Sequence, residues 1–90
     1  MKRYVIIRNM GEGFGNKTIE ELRGGVEASN NALAKIDGIQ WEHSYITSTG
    51  TVCIYLADSE EKILEHSKES GFPVDEVIEV FNIVDPTTAG

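Results

Sequence analysis

Cysteine occurs once, at Cys53, so no disulfide can form within the chain, and a reducing compartment is the simplest setting. Basic residues are scarce, 8 against 15 acidic ones, and the net charge is −7. Nucleic-acid binders concentrate positive charge, and anionic membrane surfaces attract it, so the balance argues against both partners. It leaves room for cations, metal ions included. Long apolar runs are missing too. The stretch Tyr4–Ile7 behind Met1-Lys2-Arg3 is too short for a signal core or a bilayer span, and a cytoplasmic location is expected. There is no internal repeat, linker or low-complexity tract.

What is present is ordinary globular composition, 40% hydrophobic and 26% charged, with length for one domain over residues 1–90. A chain this small buries only about 60–65% of its unfolded surface, so it gains from a partner's cover. Residues 3–9 are rich in β-formers and predict a strand. Gly11, Gly13 and Gly15 make 10–17 a flexible loop. Its spacing fits neither a dinucleotide fingerprint nor a P-loop, because Asn16 stands where a glycine is needed and Lys17 follows Asn16.

Thr18 and Glu21 form a capping-box pattern, and Leu22, Val26, Ser29, Leu33 and Ile36 recur at helical spacing, predicting a helix over 18–36 that ends at Asp37-Gly38. Residues 39–47 and 51–57 predict a hairpin turning at Ser48-Thr49-Gly50. A second helix is expected over 59–70, with Ile63, Leu64 and Ser67 inward and Gly71 as its stop. Val74–Val77 has the makings of one short helical turn, and 78–84 of a last strand. The order βαββαβ is that of an α+β, ferredoxin-like fold: a four-stranded antiparallel sheet with both helices on one face. Strands 3–9 and 51–57 are apolar on both sides, yet the helices cover only one. A second copy is the natural cover for the other, so a homodimer is expected.

Side chains alternate along strands, which puts Trp41, His43 and Tyr45 on one face and Cys53 and Tyr55 on one face. If Thr47 pairs with Thr51, these faces coincide and His43 lies diagonal to Cys53. Imidazole and thiolate at such a separation can converge on one ion, and the pair suits nickel, zinc or copper better than magnesium or calcium. Two ligands make a weak site, so Tyr45, Tyr55, a carboxylate, water or the second subunit would have to add donors. The alternative is bland: a buried Cys is usually a small hydrophobe, and a strand His is usually packing. His66, beside the apolar stripe of its helix, reads as solvated or weakly paired, and is the weakest ligand by geometry. A mid-strand Cys53 facing aromatics is a poor nucleophile, and the carboxylates Glu60, Glu61, Glu65 and Glu69 form a solvated face, so catalysis is not favoured.

Four segments carry a resemblance. Ile39-Gln40-Trp41-Glu42-His43-Ser44-Tyr45-Ile46-Thr47 resembles an IQWxHSYVT signature. Val52-Cys53-Ile54-Tyr55 resembles a Cys-x-Tyr strand. Glu65-His66 with Ser70-Gly71-Phe72-Pro73 resembles an EHxxxxGFP run, and Val84 to Ala89 a VIDPTTA end. Together they are similar to a family of small bacterial nickel-binding or nickel-responsive proteins. The resemblance implies a ferredoxin-like fold dimerised through the open sheet face into an α/β barrel. It implies nickel binding with His43, Cys53 and His66 as ligands, and Trp41, Tyr45 and Tyr55 as walls or auxiliary donors. The Gly-rich loop 11–17 and the Gly24-Gly25 pair depart from the pattern. An imidazole site of this kind is expected to lose nickel below about pH 6. Two further readings stand beside it: a dimeric barrel enzyme or small-molecule binder with Trp41, Tyr45, Phe72 and Phe81 lining a cavity, and a bare interaction module.

Overall fold

The β-branched run of strand β1 (Lys2–Asn9) forms the middle of the sheet, because only a strand with neighbours on both edges satisfies all its backbone groups. The computed structural model describes residues 1–90. After β1 come helix α1 (Ile19–Leu33), strands β2 (Ile39–Ile46) and β3 (Gly50–Ala57), helix α2 (Glu60–Ser70) and strand β4 (Glu76–Val80). The sheet order is β2-β3-β1-β4, with every neighbouring pair antiparallel. Four antiparallel strands with two crossover helices are the ferredoxin-like α+β arrangement.

Pleating sorts β1 into two sets. Tyr4, Ile6 and Arg8 point toward the helices and are buried; Arg3, Val5 and Ile7 point the other way and are partly exposed. Their β3 partners follow: Tyr55 and Cys53 inward, Val52, Ile54 and Leu56 outward. Ile63 of α2, Ile36 and Ile39 complete the helix-side core, where Ile6 is 0% and Ile63 1% exposed. Burying a side chain of this size is worth about 1.5–3 kcal/mol.

The structure departs from expectation in four places. α1 stops at Leu33, three residues early, although its Thr18–Glu21 capping box is fully formed. Its first turns stand off the sheet, and Val26 is 40% exposed. α2 is rotated so that His66 and Ser67 join Ile63 inside while Leu64 is left out. Polar partners on α1 and β1 make that rotation affordable, since a buried polar group costs little once it is hydrogen-bonded. β4 begins at Glu76, where a helical turn was expected, and ends at Val80 rather than 84. The pairing Arg3↔Val80 explains its end, because β1 has almost no chain left to pair beyond that point.

The fourth departure is in the hairpin. Thr47 closes onto Gly50, its N–H donating to the Gly50 carbonyl at 2.8 Å, so the ladder starts at Ile46↔Thr51. The register therefore slips by one from the Thr47–Thr51 pairing, and a slip of one turns every side chain over. Between Trp41 and His43 a β-bulge then restores the original parity. Gly50 is fixed by a close approach: a Cβ there would run into the Arg8 carbonyl oxygen.

Candidate functional site

Slip and bulge together decide which groups meet. His43 pairs with Ile54, and Tyr45 with Val52, so both lie on the open face, exposed, with their rings edge-on at 5.0 Å. Cys53 pairs with Ser44 on the helix side. The expected diagonal of His43 and Cys53 is thus overturned: the two groups lie on opposite faces of the sheet. Trp41, on the far side of the bulge, pairs with Tyr55 and stacks on it at 6.5 Å between ring centroids. Its indole N–H donates to Ser44 Oγ at 2.9 Å, across the bulge.

His66 is not solvated. It is 0% exposed, with Nε2 3.2 Å from Ser29 Oγ of α1 and its ring 5.3 Å from Tyr55. Nδ1 is buried with no partner. Burial, and then the Arg8 guanidinium, hold the His66 pKa below its ordinary value. The imidazole is neutral and able to bind a metal, but a cation beside it opposes a second one. Cys53 is buried and its thiol donates to Thr51 Oγ1 at 3.3 Å. The three nitrogen and sulfur candidates therefore occupy three different settings. No three His, Cys, Asp or Glu side chains gather as a metal site within the chain.

What the helix side does contain is a cavity of about 490 Å3 between α1 and strands β2 and β3. It exists because the first turns of α1 stand away from the sheet. Trp41, Tyr55 and Phe72 line it, with Leu22 and Val26 on the helix side and Cys53 in the wall. Tyr45 and Phe81 take no part. Tyr45 is on the other face, and Phe81, beyond the end of β4, is 87% exposed.

One lining residue escaped the sequence reading. Arg8 is 4% exposed and makes no ion pair with any carboxylate. Its Nη1 donates to Ser67 Oγ at 3.0 Å and to the Pro73 carbonyl at 2.8 Å; its Nη2 is buried and unpartnered. The guanidinium lies 5.8 Å from the Phe72 ring centre. The signal was available, because Tyr4 and Ile6 facing inward force Arg8 inward as well. Beside it, burial raises the Tyr55 pKa above its ordinary value, so the phenol remains a hydrogen-bond donor.

Comparison with known proteins supplies the context. No curated protein matches the chain. Among solved structures, the crystal structure of SCO4226 from Streptomyces coelicolor A3(2) is similar, with a TM-score of 0.73 and 20% identity, covering 91% of this chain and 99% of that one. At this identity the likeness speaks to fold. The family described as nickel responsive protein, SCO4226-like, matches residues 4–80, from the first residue of β1's apolar run to the last of β4. The chain belongs to that SCO4226-like family of nickel-responsive proteins.

Proposed function

We propose that the chain is a nickel-binding protein of the nickel response, acting as a cytoplasmic homodimer closed through the open sheet face, with His43 as its first ligand. The family match over residues 4–80 supports this reading. So does the position of His43, the one exposed imidazole, on the uncovered face with Val5, Ile7, Val52 and Ile54. A two-fold dimer on that face doubles each donor, so each His43 has a symmetry mate on the same interface. Nickel accepts imidazole readily. Cys53 and His66 belong to the helix side and would have to act separately from His43.

Calorimetric titration of untagged, metal-free protein with nickel tests the assignment. His43→Ala abolishes the heat, and Cys53→Ser leaves it in place. No heat from the wild-type protein at micromolar concentration ends the nickel reading. Loss in Cys53→Ser alone moves the ligand to the cavity.

The cavity favours a second reading, that of a small-molecule binder. Trp41, Tyr55 and Phe72 give it the apolar, aromatic walls of an organic-ligand pocket, at a volume within the usual range of about 300–1,000 Å3.

A further inference from the structure

A fully buried arginine without a carboxylate is unusual, because an unpaired charge in a protein interior is strongly disfavoured. Arg8 is such a residue. Its surroundings fix it rather than neutralise it. Ser67 Oγ and the Pro73 carbonyl hold Nη1, the Phe72 ring lies against the guanidinium, and Nη2 has no acceptor. Arg8 also lines the cavity.

Charge in the cavity runs against that of the molecule. The chain as a whole carries 15 acidic and 8 basic residues. The cavity is lined by Arg8, Lys17 and Arg23 against a single acid, Glu21; Arg23 is paired with Glu20 at 3.0 Å, which leaves Arg8 and Lys17 as the cations without a carboxylate. Glu21 is itself engaged, accepting from the Thr18 N–H and hydroxyl in the α1 cap. An anion is therefore favoured inside, in a molecule that repels anions elsewhere. The walls restrict which anion: stacked Trp41 and Tyr55 on the sheet side and Phe72 beside Arg8 favour a flat apolar body over a hydrated inorganic ion.

We propose that the cavity between α1 and the sheet binds an aromatic carboxylate, with the acid toward the Arg8 guanidinium and the ring against Trp41 and Tyr55. The proposal rests on the small-molecule reading of the cavity and is independent of nickel at His43. The guanidinium is already held in place by Ser67 and the Pro73 carbonyl, so little side-chain order is lost on binding. Tyr55 and Ser29 lie in the same wall of the cavity as Arg8.

Trp41 is the only tryptophan, so its fluorescence reports on this cavity alone. Wild-type protein is titrated with 2-naphthoate and, separately, with neutral 2-naphthamide. The acid is expected to quench Trp41 and to bind at least tenfold more tightly than the amide. In Arg8→Met, folded by circular dichroism, that preference falls to within twofold while the quenching survives. Should Arg8→Met not fold, Arg8→Lys serves, and a smaller preference for the acid is expected. Equal affinity of wild-type protein for acid and amide overturns the role of Arg8 but preserves an apolar binding cavity. No quenching by either compound overturns the cavity reading with it.

Discussion

Arg8 and Ser67 tie the central strand to the second helix: the guanidinium Nη1 donates to the serine hydroxyl at 3.0 Å, and both residues are buried. The contact explains why α2 turns Ser67, not Leu64, toward the sheet. A hydrogen bond to a charged group is worth about 1.5–3 kcal/mol, and its loss leaves the charge still buried. Ser67→Ala is therefore expected to lose stability in that range by urea denaturation, with an unchanged m-value. A loss below about 0.5 kcal/mol would show that the Pro73 carbonyl suffices.

Two glycines should respond with opposite sign. Gly50→Ala drives a Cβ into the Arg8 carbonyl, and the strand pairing Asn9↔Gly50 must open to admit it. A loss of more than about 2 kcal/mol is expected, of the size caused by overpacking or by breaking ladder bonds. Gly24 lies inside α1 with nothing within 4 Å of an added Cβ. Gly24→Ala should stabilise by roughly 0.5–1 kcal/mol through helix propensity and a less flexible unfolded chain. Thermal melts of the two variants check both.

His66 makes stability depend on pH. Its pKa in the folded state lies below the ordinary 6.5, chiefly through burial. As pH falls through 6.5 the unfolded chain takes up a proton that the folded chain refuses. Stability is then undiminished above 6.5 and declines below it, by at most about 1.4 kcal/mol per pH unit. Urea denaturation between pH 7.5 and 5 should show the decline in the wild-type protein and a flatter profile in His66→Gln. Equal slopes would place the titrating group elsewhere.

Closure by a second copy predicts a mass near twice the 9.9 kDa of one chain in sedimentation equilibrium. Ile54→Asp puts a charge in the middle of the open face, where Ile54 faces Val5 on one side and His43 on the other. It should yield a folded monomer. A dimer that survives the substitution would locate the interface away from the sheet.

The order of elements was legible in the residues, because strand runs, the Thr18–Glu21 cap and the Gly71 stop are local signals. The inward set of β1 was legible too, Arg8 included, once Tyr4 and Ile6 are assigned to the core. What was hidden was pairing. Whether Thr47 meets Gly50 or Thr51 differs by a single residue, and both turns are chemically reasonable. That one residue separates a His43–Cys53 site from two unrelated groups on opposite faces. The rotation of α2 was hidden for a similar reason: Leu64 outranks His66 in apolarity, and the polar partners Ser29 for His66 and Arg8 for Ser67 reverse the choice. β4 was extended too far because Phe81, Ile83 and Val84 are good strand residues, 87%, 62% and 75% exposed, where β1 has run out.

The bulge beside Glu42 makes that position a spare. Trp41 and His43 face consecutive β3 residues, Tyr55 and Ile54, so Glu42 has no ladder partner of its own. Shortening the chain by this residue would leave the indole in the cavity and the imidazole outside, at the expense of the Arg3–Glu42 ion pair and of the Trp41–Ser44 hydrogen bond that spans the bulge. Shortening or lengthening β2 by one anywhere nearer the turn would exchange the two chemistries between the faces. Length variation among kin of this chain should therefore be tolerated at position 42 and purged from 43–46.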